Sequence, residues 1–265
     1  MERALAGILA AVFACGPVCA GGEEWVATAP VGGFPMVEPF RASFRIGWTE
    51  IAAAEARAEI TSNATVAKLS AGGGTIGLAR SLYQLDATLE AVSALPDFET
   101  VGSEQLEKYR RRTLLTAVEG SDGNLRTKRG WTDGSEELRW KPVKVSPARD
   151  LFSAMMFIRS QPLNAGDKVG VVVFPGESPF FVEMESLGER TISVGGAGRR
   201  ALLLELRISR INTKKGNALE PHPKFRTGRV WLSNDADRIP LRAEVEIFIG
   251  YLFAEIASFE KIPRP

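Results

Sequence analysis

Hydrophobic and polar residues alternate with period two over much of the chain. Phe40, Ala42, Phe44, Ile46 and Trp48 fall on one side of an extended segment, with Arg41, Ser43 and Arg45 on the other. Ala56, Ala58 and Ile60 oppose Glu55, Arg57 and Glu59 in the same way. Leu202, Leu204, Leu206 and Ile208 face away from Glu205, Arg207 and Ser209, and Leu241, Ala243, Val245, Ile247 and Ile249 from Arg242, Glu244 and Glu246. One buried and one wet face per strand marks antiparallel pairing. A parallel sheet covered on both faces would read as unbroken apolar runs, and Val171 to Phe174 alone approaches one. Turn residues punctuate the chain at hairpin intervals: Ser121-Asp122-Gly123-Asn124, Thr132-Asp133-Gly134, Leu187-Gly188-Glu189 and Gly195-Gly196-Ala197-Gly198.

Helical signals are few. Ser146 reads as an N-cap with Pro147 in the first turn, Leu151, Ala154, Met155 and Ile158 follow at helical spacing, and Pro162 stands past the end. This predicts one central helix near 147–159. A shorter helical turn is expected at Leu78 to Leu82, with Gly72, Gly73 and Gly74 forming a bulge or tight turn before it. The expected fold is mainly β: an antiparallel curved sheet or open barrel-like sandwich around one helix. It is read as a single β-rich domain over 40–262, built from two strand groups, after an extended Pro/Gly-rich leader at 21–39.

The first twenty residues read as a signal peptide. A charged start is followed by the apolar run Ala4 to Ala14 and a small-residue stretch ending Val18-Cys19-Ala20. Eleven apolar residues are too few to span a bilayer as a helix. Cleavage after Ala20 removes both cysteines, Cys15 and Cys19, and leaves a mature chain that must rely on its core rather than on disulfides. The competing readings are an uncleaved N-terminal anchor and a lipid anchor at Cys15, for which Val12-Phe13-Ala14 is a poor lipobox. A periplasmic or outer-envelope location follows from each.

Composition narrows the chemistry. The 265 residues are 45% hydrophobic and 25% charged, with a net charge of +1 and a mean hydropathy of −0.04. A strongly basic nucleic-acid binder and a multi-span helical membrane protein are both excluded. The lone histidine, His222, lies between prolines and is expected in a stiff, exposed loop. One histidine and no mature cysteine cannot make the usual zinc ligand sets, and no metal or cofactor is expected. Asp235 and Asp237 read as Asx-turn residues rather than as a calcium loop. Glu183 with Glu185, and Glu244 with Glu246, share strand faces as glycosidase acids could, but such pairs are usually matched by cations on the next strand.

A basic segment stands out between Lys108 and Lys144. Ten cations, among them Arg110, Arg111, Arg112, Arg126, Lys128 and Arg129, interleave with Glu119, Asp122, Asp133, Glu136 and Glu137, with Glu107 just before them, and with Trp131 and Trp140. In an exported protein this suggests an anionic lipid, lipopolysaccharide or a cell-wall polymer; a plain charged sheet face is the simpler account. Phe152, Met155, Met156 and Phe157 make the central helix apolar around most of its circumference, either as core or as the lining of an acyl-chain cavity.

Several blocks together resemble a bacterial family catalogued as domain of unknown function 3108. They are Phe40 to Ile51 with the Ala/Glu strand after it, Gly72 to Ala79 with Tyr83 and Leu85, Arg149 to Ser153 with the helix to Arg159 and then Asn164 to Asp167, and Val230 to Arg242. The order of blocks carries the resemblance, and the Ala52-Ala53-Ala54 run departs from the expected glycine. The resemblance implies a β-rich fold and an envelope location, and supplies no catalytic residues. The expected function is a non-enzymatic exported envelope protein holding an amphiphilic or polymeric envelope ligand. Arg110, Arg112, Trp131, Trp140, Met155 and Met156 are its candidate binding residues. The alternative is a structural or assembly partner in the envelope, and a carboxylate hydrolase is a distant third.

Overall fold

The computed structural model describes residues 26–29, 38–135, 137–222, 225 and 227–263. The predicted signal segment with Cys15 and Cys19, and most of the predicted leader, lie outside them. In chain order the elements are β1 (Phe40–Trp48), β2 (Ile51–Ser62), β3 (Val66–Thr75), α1 (Gly77–Leu82), β4 (Leu85–Ala94), β5 (Glu99–Tyr109), β6 (Arg112–Ser121), β7 (Asn124–Trp131) and β8 (Lys141–Pro142). Then follow α2 (Leu151–Ser160), β9 (Lys168–Val173), β10 (Phe180–Val194), β11 (Ala197–Asn212), a 3-10 turn at Thr213–Lys215, β12 (Ala218–Pro221), β13 (Gly228–Ser233), β14 (Pro240–Glu246) and β15 (Tyr251–Lys261).

All fifteen strands join one antiparallel sheet, as the alternation predicts. Its order is β8-β7-β6-β5-β4-β3-β2-β1-β15-β14-β13-β11-β10-β9, with β12 added beside β11. The pairing of β1 with β15 welds the two strand groups together. The sheet curls but is not closed by a ladder between its outermost strands. Its edges meet instead through the segment between β8 and α2. There Val143 donates to the Leu125 carbonyl (2.9 Å), Arg149 donates to Val172 (2.9 Å), and Phe174 donates to Arg149 (2.7 Å). Val118, Leu125, Val145, Ala148, Val172, Phe174 and Phe181 pack around this seam.

That pairing corrects the predicted helix start. Ser146 is tied to the β6–β7 turn, its hydroxyl donating to the Gly123 carbonyl, and Arg149 bridges to β9 in extended conformation. The helix can begin only after this bridge. Asp150 is therefore the N-cap, its Oδ1 accepting from the Ser153 N–H at 2.7 Å. From there α2 lies inside the curl, with Phe152, Ala154, Met156, Phe157 and Ile158 all buried against inward residues of both strand groups, Phe40, Ile60, Ala91, Val182, Leu204 and Leu241 among them. Phe152, Met156, Phe157 and Ile158 each contribute roughly 1.5–3 kcal/mol by leaving water.

Two arginine clamps fix the helix ends. At the start, the Arg149 guanidinium donates to the Phe98 and Asp97 carbonyls (3.1 and 3.0 Å) and stacks over Phe157. Phe98 sits at φ +53°, unusual for a bulky side chain, with its ring in the core. At the end, buried Arg159 donates to the carbonyls of Arg238 (3.0 Å) and Asp237 (2.6 Å), while Arg238 donates back to those of Arg159 (2.6 Å) and Gln161. The last carbonyls of the helix thus gain a cationic partner.

Three other local expectations change. Leu187-Gly188-Glu189 is not a turn but a bulge inside β10. There Gly188, at φ +75°, leaves room for Ala165, and Ser186 accepts the loop that follows the helix, donating to Leu163 (2.8 Å). Gly72 to Gly74 continue β3 in unbroken register with β2 and β4. A Cβ on Gly73 would lie 2.4 Å from the Glu55 carbonyl oxygen, so close strand approach explains the glycine. Strand β14 stops at Glu246, and Ile247 to Gly250 form the turn into β15. The helical turn at Leu78 to Leu82 forms as α1.

Replacing Phe157 with alanine should lower the free energy of unfolding by about 3–5 kcal/mol, and Met155→Ala, at a half-buried position, by clearly less. Urea unfolding followed by circular dichroism measures both; equal losses would show that α2 does not pack by this face.

Candidate functional site

The strand pleat divides the basic aromatic segment between two faces. Arg112, Trp131 and Arg129 point inward with Tyr109, whereas Arg126 and Lys128 point outward. On the inner side the Arg112 guanidinium lies 4.0 Å from the Trp131 ring centre and its Nε donates to Asp133 (2.9 Å). Trp131, Tyr109 and Tyr83 form an edge-on ladder with centroids 5.9 Å apart. On the outer side Trp140 is flanked by Arg126 and Lys128, both 4.9 Å from its ring. Four of the ten cations are paired with described acids: Arg112 with Asp133, Arg126 with Glu119, Arg129 with Glu177 and Arg139 with Glu137. Arg110 and Arg111, on the β5–β6 turn, are exposed and form no ion pair with another described residue. Arg112 and Trp131 therefore come together; Trp140 and Arg110 stand apart from them.

Met156 is fully buried and Met155 packs half-buried against the same core. Beside the N-terminal end of α2 is a cavity of about 20 Å³, lined by Ser103, Gln105, Thr116, Asp150 and Phe152 among others. It has room for a water but not for an acyl chain, so the helix serves as core. Polar groups nonetheless line this interior. Glu107 is buried, accepting from Gln105 (2.9 Å) and Tyr109 (3.1 Å), and burial pushes its carboxyl above the usual range. Desolvation pushes Asp150 up to about 6, the Ser153 N–H opposing the shift, and its Oδ2 has no hydrogen-bond partner.

A larger space opens at the other end of α2. A cleft of about 550 Å³ has Ile239, Leu241, Ile256 and Phe259 as its apolar floor and Glu38, Arg199, Asp235, Asp237 and Lys261 at its rim. It forms where the start of β1, the end of β15, the β13–β14 loop and the β10–β11 hairpin converge. The β13–β14 loop is held rigidly. Asp235 Oδ1 accepts from Ser233 Oγ (2.8 Å) and from the N–H groups of Asp237 (3.0 Å) and Arg238 (3.1 Å), while Arg159 and Arg238 pin it to the helix. Lys261 pairs with Asp237 at 2.6 Å, which holds its ammonium above the ordinary range. Arg199 is exposed and forms no ion pair with a described residue. Sequence reasoning missed this cleft, reading Asp235 and Asp237 as turn residues only. That reading is correct locally, but it does not reveal which distant segments the turn faces.

The other chemical candidates are matched as strand-face charges. Glu183 lies 4.0 Å from Arg207, Glu185 3.5 Å from Lys168, Glu244 2.7 Å from Arg242 and Glu246 4.0 Å from Arg229. His222 is not exposed as expected. It is half-buried, stacked on Phe225 with centroids 4.4 Å apart and tilted against Phe180, its Nδ1 accepting from the Phe225 N–H (3.2 Å). Among the described residues no cluster of three His, Cys, Asp or Glu could hold a metal ion, and no helix is long and apolar enough to cross a membrane.

A family model described as a protein of unknown function, DUF3108, matches residues 41–257. The chain belongs to the DUF3108 family. The match takes in both strand groups, α2 with its clamps, and all of the cleft except Glu38, Phe259 and Lys261. Comparison with curated proteins finds no match. Among solved structures, a β-barrel-like protein of the DUF1849 family from Brucella abortus superposes with a TM-score of 0.56 at 7% identity, covering 85% of this chain and 98% of that one. This likeness shows a common β-barrel-like fold. Two others superpose more loosely. One is a candidate exported protein with a YmcC-like fold from Bacteroides fragilis (TM-score 0.33, 11% identity, 88% and 100% covered). The second is a candidate lipoprotein from Parabacteroides distasonis (0.34, 8%, 89% and 100%).

Asp150 gives this DUF3108 chain a signature in pH. A carboxyl whose folded pKa is near 6, against about 4 unfolded, makes the folded state bind the extra proton. Stability should therefore fall by up to about 3 kcal/mol as pH rises from 4 to 6 and change little above that on this account. Asp150→Asn, which keeps the N-cap acceptor, should remove that slope and match or exceed the native chain at pH 8. Thermal unfolding across this range decides it; an unchanged slope in the variant would assign the titration elsewhere.

Proposed function

We propose that this chain is an exported envelope protein that holds an amphiphilic ligand in the cleft at the C-terminal end of α2, without catalysing a reaction on it. The observation that carries the reading is the composition of the cleft. An apolar floor of Ile239, Leu241, Ile256 and Phe259 under a charged rim has the arrangement of a hydrocarbon site with a polar mouth. The rim has three acids, Glu38, Asp235 and Asp237, against Arg199 and Lys261, and Lys261 is already paired. That balance suits a zwitterionic head, its anionic part on Arg199 and its ammonium among the carboxylates, better than a purely anionic one. Export rests on the charged start, apolar run and Val18-Cys19-Ala20 of the first twenty residues.

An assembly role acting through sheet edges finds less support. At Gly170 the edge of strand β9 is met by Thr28, which donates to the Gly170 carbonyl (2.8 Å) and accepts the Gly170 N–H on its hydroxyl (2.8 Å). The other edge, β8, is two residues long and consists of Lys141 and Pro142. Short, charged or proline-bearing edges and covered ones resist strand addition.

Lysophosphatidylethanolamine, titrated against the purified protein and followed by native mass spectrometry, should bind at one site. Arg199→Glu should weaken it about tenfold, the scale of one lost charge-assisted contact, and lysophosphatidylglycerol should bind less well than the zwitterion. Arg199 is exposed, so this variant leaves the core intact. An unliganded mass at saturating lipid would overturn the reading.

A further inference from the structure

Four consecutive strand connections meet at the end of the sheet opposite the cleft. Across the order β6-β5-β4-β3-β2-β1-β15-β14 they are the β5–β6 turn, the α1 connection, the β1–β2 turn and the β14–β15 turn. Three of them carry large apolar side chains that the fold does not bury: Leu78 and Leu82 on α1, Trp48 and Ile51 beside the β1–β2 turn, and Phe248 and Ile249 on the β14–β15 turn. These six are 43–82% exposed, and they make up most of the large exposed hydrophobics among the described residues. Elsewhere such residues stand singly, as on any protein surface.

The connections are fixed to one another. The Trp48 indole N–H donates to the Ile249 carbonyl (2.8 Å), Thr49 N–H to Tyr251 (2.9 Å) and Ile76 N–H to Ala53 (2.9 Å). The fourth connection supplies charge: Arg110 and Arg111 stand exposed at its tip with no ion pair to a described residue. The acids nearby are engaged. Glu50 is bound by Tyr251 and by Arg242 (3.2 Å), and Asp86 by Arg80 (2.8 Å).

We infer that this rim docks the protein on an anionic lipid bilayer, the six apolar side chains entering the interface and Arg110 and Arg111 lying against the headgroups. The six exposed side chains are spread over three separate connections rather than along one strand face, and this suits a deformable lipid surface better than a rigid protein partner. An exposed tryptophan beside aliphatic and phenylalanine tips, flanked by arginine, is the residue set that partitions to the interface. The inference does not rest on the cleft.

Vesicle flotation of the full chain, as processed by a Gram-negative host, tests it. The protein should float with vesicles of phosphatidylethanolamine and phosphatidylglycerol but not with phosphatidylcholine alone. The F248S/I249S pair and the R110E/R111E pair should each reduce the bound fraction about tenfold with unchanged circular dichroism, in line with loss of apolar insertion and of headgroup attraction. L78S/L82S, on a different connection, serves if the first pair disturbs folding. Native protein that stays with the unbound fraction, or variants that float like the native chain, would overturn the inference. So would a concentration-dependent dimer dispersed by F248S/I249S, which would make the rim a self-association surface. Arg199→Glu should float normally, so a failure of the rim and a failure of the cleft read out separately.

Discussion

A curled sheet whose outermost strands do not pair faces two demands at once: its inner face must be covered, and its edges must be satisfied. The stretch between β8 and α2 meets both. Val143 and Arg149 hydrogen-bond to the two sides of the seam, and two residues later the same backbone becomes the helix that fills the interior. Arg149 is the hinge of this arrangement. Its backbone is the bridge to β9, and its side chain fastens the helix start to the turn between β4 and β5. Each buried backbone group that this segment satisfies would otherwise cost about 1–3 kcal/mol.

Period-two alternation made the antiparallel sheet legible because each strand has one wet face, and that face is read residue by residue. The helix start was not legible for the opposite reason. Ser146-Pro147 is a sound local N-cap signal, and it lost to a bridge with a strand that begins some twenty residues later. Leu187-Gly188-Glu189 carried true turn chemistry that β10 uses as a bulge, because a loop from after the helix has to dock on Ser186. The block Arg149 to Ser153, which carried part of the family resemblance, proves to be the clamp and cap of α2. Its residues are constrained by architecture, so they pointed to a fold rather than to a reaction.

The candidate sites show the same limit more sharply. Arg112, Arg126, Lys128, Trp131 and Trp140 looked like one basic aromatic surface in sequence. Strand parity sends Arg112 and Trp131 inward and Arg126 and Lys128 outward, and Arg112 and Arg126 are each paired with an acid, Asp133 and Glu119. The cleft draws its lining from residue 38, residue 199 and the ranges 233–241 and 256–261, which no local pattern links. Glu107, on the inward face of β5, and Asp150, at the helix cap, are both buried inside the curl. Their burial is tolerable because hydrogen bonds and raised proton affinity keep the charge low or shared.

The cleft and the apolar rim sit at opposite ends of the same strands, and this restricts how they can work together. Strands of nine to twelve residues place them about 30 Å apart at roughly 3.3 Å per residue. A chain lying on a bilayer by Trp48, Ile51, Leu78, Leu82, Phe248 and Ile249 would turn its cleft away from that bilayer and toward the aqueous layer. A ligand seated on Ile256 and Phe259 would then come from the solution side or from a facing membrane, not from the leaflet that holds the protein. The rigid framework between the two ends favours this division. The helix is clamped at both termini and the β13–β14 loop is pinned by two arginines, which ties the cleft to the sheet rather than to the docked surface.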